Sequence, residues 1–260
     1  MKLYFKYMLL LLRSEMQYRG SFLLLTLGQC LTPFTAFASV YFMFERFGDL
    51  KGWSFYEVVL CFAVTQMAFS FTECFARGFD VFSSLVVSGN FDRLLVRPRS
   101  TALQVFGSKF EFARIGRLLL SAGVLVWATN HIEASWTPLK IVALVLMVGS
   151  GVVIFTGIFI LAASISFWTV QGLEVANIFT DGGREMTQYP LNIYHRWVKR
   201  FFTFIIPFGC VNYLPLLYIL GRDGADNPLY ALLPLLGFVF LAPCLLVWRI
   251  GVRHYRSTGS

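Results

Sequence analysis

The segment Gly78–Ser100, GFDVFSSLVVSGNFDRLLVRPRS, decides how this chain is read, because it is a compact polar stretch between two apolar runs of membrane-spanning length. Asp80, Asp92, Arg93, Arg97 and Arg99 cannot sit in hydrocarbon without partners. Val81, Phe82, Leu85, Val86 and Val87 give the same stretch a short apolar face at near-helical spacing. Gly89-Asn90 breaks that helix, and Pro98 ends the short run after it. One reading is a short amphipathic helix on the inner membrane face that docks into a groove on a soluble partner, its charges setting the register. The other is a solvated loop that joins two spans.

Working outward, Ser21–Phe44 is a first span, the mixed-charge stretch ERFGDLKGWS over Glu45–Ser54 a loop, and Phe55–Phe75 a second span. Lys2, Lys6, Arg13 and Arg19 precede the first span, while Arg77, Arg93, Arg97, Arg99, Lys109, Arg114 and Arg117 come after the second. The basic side is the inner side, which puts the N-terminus and Gly78–Ser100 inside. In Met1–Arg19 the polar residues Lys2, Lys6, Arg13 and Gln17 fall within an arc of roughly 60°, opposite Leu3, Tyr4, Tyr7, Leu11 and Leu12, as in a helix lying in the interface. Arg13 and Glu15 cut short the apolar core a secretory signal needs.

The composition agrees with a membrane protein. Of 260 residues 57% are hydrophobic and 14% charged, against about a quarter charged in soluble domains. A net charge of +8 would suit nucleic-acid binding in a soluble protein, but here the cations flank apolar runs, so nucleic acid is excluded. Cys30, Cys61, Cys74, Cys210 and Cys244 are scattered through apolar stretches as small packing residues.

The third span is cleanly apolar only over Leu118–Ala128, since Lys109, Glu111, Arg114 and Arg117 occupy the stretch before it. Either those turns project into the cytoplasm or they pack in the bundle with Glu111 and Arg114 paired at i,i+3. The fourth span, Leu139–Phe167, carries Gly149, Gly151, Gly157, Ala162 and Ser166, small residues that allow close helix approach. In Trp168–Gln188 the side chains of Glu174, Asn177, Asp181, Arg184, Glu185 and Gln188 fall within an arc of roughly 100°. If that segment crosses the membrane, the stripe faces a bundle interior, a dimer interface or a watery path; if it lies on the surface, the stripe is a solvated face.

Two topologies are open. One keeps Trp168–Arg200 inside and crosses with Phe201–Leu220; the other crosses with the polar-striped segment and makes Tyr189–Gly221 an external re-entrant hairpin, broken by Pro190, Pro207 and Pro215. Both close with a span over Leu229–Trp248, six crossings in all, and termini inside. The first suits the charge rule and the second suits the prolines.

The chain has no G-x-x-x-x-G-K-[ST], H-E-x-x-H or G-x-S-x-G. His131, His195 and His254 are too scattered for a shared metal, so no metal and no catalytic residue is assigned. A different class remains open, an ion-coupled carrier or channel that uses Glu174 and Asp181 without any ATPase.

The blocks GNFDRLLVRP at Gly89–Pro98, FWTVQGLEVANIFTDGG, YPLNIY, IIPFGCVNYLP and the closing RHYRSTGS, in this order, resemble the permease subunit of type-2 ABC exporters over essentially the whole chain. The resemblance implies an all-α membrane protein with six transmembrane helices. It adds an interfacial helix (residues 1–20), a cytoplasmic coupling segment (77–100) and a re-entrant external segment (189–221) before the last helix. It implies a multi-pass protein of the cytoplasmic (inner) membrane that moves a hydrophobic or amphipathic substrate. Its partners would be membrane lipid, a second permease (the same chain or a sister) and two ABC ATPase subunits, which hold the ATP and Mg that this chain lacks. On that basis Phe82, Leu85 and Val86 fill the ATPase groove and Asp80, Asp92, Arg93 and Arg97 set the register, while Glu174, Asn177, Asp181 and Glu185 line a substrate path or dimer interface.

Overall fold

Helix α1 (Lys2–Glu15) runs through a single 3-10 turn into α2 (Arg19–Phe47), and α3 (Phe55–Phe75) returns antiparallel to it. Four short helices come next, α4 (Arg77–Asp80), α5 (Phe82–Val87), α6 (Asp92–Leu95) and α7 (Thr101–Phe106), before α8 (Ile115–His131) and α9 (Pro138–Ile165). The rest comprises α10 (Gly172–Thr187), α11 (Arg196–Phe204), α12 (Leu214–Leu220), α13 (Leu229–Leu232) and α14 (Leu236–His254). This computed structural model describes residues 2–169, 172–222, 225 and 227–256, with only the backbone of residues 2–5, 7 and 172–177. Among the described residues there is no β-strand. The side chains of Leu3, Tyr4, Tyr7, Glu174 and Asn177 lie outside the described residues.

Five stretches are long and apolar enough to cross a membrane: Met8–Phe47, Phe55–Phe75, Phe112–His131, Pro138–Ile165 and Leu229–His254. A sixth arises if Arg196–Phe204 and Gly209–Leu220, bent by 87° at the break between them, form one span. The protein is thus an all-helical membrane protein with five or six candidate crossings. The second span matches its sequence limits, whereas the third begins earlier than its apolar part because Arg114 and Arg117 find partners.

The helix ends obey local chemistry. Ser54 and Glu57 form a capping box that starts α3, with the Ser54 amide donating to Glu57 Oε2 at 2.8 Å. Thr137 caps α9 with Pro138 in the first turn. Gly89, at φ +68°, turns the chain after α5, as expected of Gly89-Asn90. Across Gly182-Gly183, by contrast, α10 continues unbroken.

Helix α3 is the axis of the bundle: 83% of its most apolar window is buried, against 11% for the α1–α2 stretch. It packs against α2, α8, α9 and α10. Gly151 and Gly157 of α9 are close-approach positions against Ala68 and against Phe240 and Cys244, while Gly149 faces open space. At one end of α3 the core gathers Trp53, Phe62, Met147, Leu191, Tyr213 and Leu216; at the other it gathers Phe69, Phe155, Phe159, Phe208, Trp248 and the rings of the short helices.

The polar-striped segment and the residues just after it run along α3 from one end to the other. Towards the C-terminal end of α3, Arg184 lies over the Phe69 ring at 5.0 Å. Further on, the Thr187 carbonyl accepts from Thr65 Oγ1 at 2.8 Å and from Asn212 Nδ2 at 2.9 Å. Further still, Trp53 Nε1 donates to Asn192 Oδ1 at 2.9 Å, and Lys51 Nζ donates to the Ile193 carbonyl at 2.8 Å. After the bent stretch the chain comes back to the same loop, where Arg222 donates to the Gly52 carbonyl at 2.9 Å and pairs with Glu57 at 3.0 Å.

Candidate functional site

A buried charge network gathers at the end of α3 where the four short helices begin. Glu73 sits in the last turn of the mostly apolar α3 with 6% of its side chain exposed, so its charge must be met inside the protein. Three arginines meet it. Arg114 bonds one carboxylate oxygen, Arg117 bonds the other at 2.8 Å, and Arg77, one helical turn on, approaches at 3.8 Å. Glu111 continues the network by pairing with Arg114, with Arg77 at 3.2 Å and with Lys109 at 3.4 Å, while Asp80 pairs with Arg77.

Of the two choices open for the charged entry to the third span, the structure therefore takes the bundle-packed one. The Glu111–Arg114 pair forms at i,i+3. Its larger partner, Glu73, escaped the sequence reading, although its i,i+4 spacing to Arg77 was the available signal. Burial alone would raise the Glu111 carboxyl, but the hydrogen bond and charge of Arg114, helped by Arg77 and Lys109, hold it below the usual glutamate range. Asp80 goes the other way: burial raises it above the ordinary aspartate value, and Arg77 and Arg114 only partly offset that.

The short helices form a handle seated on this network. Phe82 is fully buried, its ring 4.8 Å from Trp248, 5.0 Å from Phe91 and 5.2 Å from Phe167. Trp248 Nε1 donates to Thr101 Oγ1 at 3.2 Å, which ties the last helix to the far arm of the handle. Gly78 is required where it is, because a Cβ there would run into the Val105 backbone carbonyl. Burying rings such as Phe82 and Phe91 contributes roughly 1.5–3 kcal/mol each where the alternative is water, which makes the handle a folded part of the bundle and not a solvated loop.

This placement corrects one expectation. Phe82 and Val86 point into the chain's own core and Leu85 is half-buried, so the apolar face read from the sequence is the seat of the handle. The large apolar side chains left exposed on the short helices and their turns are Val87, Leu95, Val96, the last at 83%, and Leu103 on α7; beside the first three, Arg93, Arg97 and Arg99 are exposed too. Asp80 belongs to the charge network, and Asp92 stands beside Tyr255.

On α10, Asp181 and Glu185 are exposed, while Arg184 turns inward and bonds Glu185 at 2.6 Å, with Asp181 at 3.8 Å. Gln188, of the same expected stripe, is buried. Between α10 and the network lies a cavity of about 350 Å³, lined by Thr32, Phe69, Glu73, Arg77, Asp80, Arg114, Arg117, Phe159, Thr180, Asp181 and Arg184. Among the described residues no group of His, Cys, Asp and Glu is arranged to hold a metal ion.

No curated protein and no solved structure matches the chain. A family model described as ABC-2 family transporter protein matches residues 30–259, a stretch that takes in every crossing from the latter part of α2 to α14 together with the handle, the charge network and the cavity. The chain belongs to the ABC-2 family of transporter membrane proteins.

Proposed function

We propose that this chain is the membrane-spanning permease of an ABC exporter, driven through its handle by a separate ATPase and paired with a second permease. The observation that carries the reading is the two-sided build of the handle, whose rings lock into the bundle while Val87, Leu95, Val96, Arg93 and Arg97 stand outward. Such a part transmits a push without deforming, and its outward face has the apolar centre and charged rim of a docking element. Nucleotide-driven closure of two ATPases would then swing each handle and shift the attached spans between arrangements. The handle face is inside on the charge rule, as are both termini.

In the same proposal α10 is the fifth crossing and residues 189–221 are re-entrant from the outer side. Tethers at Ile193 and Arg222 to one loop support it, because a segment that leaves and returns to Lys51–Trp53 does not traverse the bilayer. Met8, Leu11 and Leu12 packing beside Phe110 and Phe112 support an α1 that lies along the inner surface. A chain with 28 Phe and 7 Met has the adaptable apolar side chains that suit a hydrophobic or amphipathic cargo.

The docking assignment is tested with Leu95→Asp/Val96→Asp, which leaves every buried ring in place. The double variant should insert in the membrane at wild-type level and lose ATPase co-purification; undiminished co-purification overturns the assignment. Phe82→Asp is no test, since it would unseat the handle itself.

A further inference from the structure

The cavity between α10 and the charge network is lined by two arginines that each keep one buried donor no protein group absorbs. Arg77, Arg114, Arg117 and Arg184 line it against the carboxylates of Glu73, Asp80 and Asp181. Each guanidinium carries five N–H donors. Both Glu73 oxygens are already taken by Arg114 and Arg117, Asp80 is taken by Arg77, Glu111 by Arg114, Arg77 and Lys109, and Arg184 is bonded by Glu185 at 2.6 Å with Asp181 at 3.8 Å. Two donors are left buried with no partner, Nε of Arg117 on α8 and Nε of Arg184 on α10. An unmet buried donor on a cation is costly to hold in place, and two of them lining one space of about 350 Å³ mark that space as a receptor for acceptor oxygens.

The geometry favours a tetrahedral oxyanion. A guanidinium fork matches either group, but a phosphate presents more oxygens than a carboxylate and so has more to offer arginines that arrive from more than one element. Here they arrive from the first turn of the handle, from the start of the third span and from α10. The polar lining residues Thr32 and Thr180 adjoin exposed apolar ones, Leu31 at 63%, Ile178 at 68% and Phe179 at 40%. That surface suits hydrocarbon attached to the bound group. We propose that this cavity is a binding site for a phosphate group, seated against Arg117 and Arg184 and within reach of the first turn of the handle.

Thermal unfolding of the full chain in detergent tests the site with three compounds: phosphatidylglycerol, soluble glycerol phosphate, and diacylglycerol, which lacks the phosphate. The phosphate-bearing compounds should raise the midpoint and diacylglycerol should not. A response to the lipid alone identifies the carrier as a membrane headgroup, and a response to glycerol phosphate at comparable concentration identifies a free soluble ester. Arg184→Gln, which takes away one charged donor set, should weaken the response about tenfold in concentration, while Arg196→Gln on α11 leaves it unchanged. Should the Arg184→Gln chain not fold, Arg184→Lys carries the same comparison, because it keeps the charge and loses the fork. The proposal is overturned by no shift with either phosphate compound, by an equal shift with diacylglycerol, by an undiminished response in the Arg184 variant, or by an equal loss in Arg196→Gln.

Discussion

Glu73 is the residue on which the handle end of the bundle depends. Its carboxylate lies between Arg114 and Arg117, with Arg77 beside it, and it is nearly sealed from solvent. Replacing it with Gln leaves two arginines with a neutral partner in a buried place, a loss of about 3–5 kcal/mol by the usual cost of breaking such pairs. Lys109, nearly half exposed and paired only with Glu111, should cost under about 1 kcal/mol when truncated to Ala. Unfolding midpoints of the two variants in one detergent would separate these expectations, and equal midpoints would refute the central place given to Glu73. The sequence shows an acid near the end of an apolar run, and its two bonded partners lie 41 and 44 residues further along. Only the near pairs, Glu111 with Arg114 and the looser Glu73 with Arg77, are visible as spacing.

At the level of elements, the legible features obey local rules and the hidden ones depend on distant packing. The limits of α3, the turn at Gly89 and the short helices before Pro98 come from capping, turn chemistry and apolar length. The direction of Phe82 does not, because its place is made by Phe167 and Trp248, which belong to the ends of the fourth and last spans. The same limit applies to α10, whose stripe was legible as a pattern while the inward turn of Arg184 and the burial of Gln188 depend on α3 and on the cavity. The order of helices between α9 and α14 yields a labelling prediction. With cysteines introduced singly at Lys199 and Lys51, a membrane-impermeant thiol reagent should reach both from outside intact cells. An unreactive position 199 beside a reactive 51 would favour Phe201–Leu220 as the crossing instead.

For the whole molecule, the prediction concerns dependence on a partner. Reconstituted alone in liposomes, the chain should move no cargo. With its ATPase present it should do so only with ATP and Mg, whereas ATP-free transport by the chain alone would instead support a carrier or channel that uses Asp181. The way the handle is seated also fixes where motion would enter the bundle. It is fastened to Phe167 and Trp248, at the tails of α9 and α14, and is continuous with α3, yet the α1–α2 stretch is the least enclosed part of the described bundle. A stroke delivered from below would therefore haul three spans together as one rigid frame, with α2 trailing like an outrigger. The seam that opens first would be the one along α2.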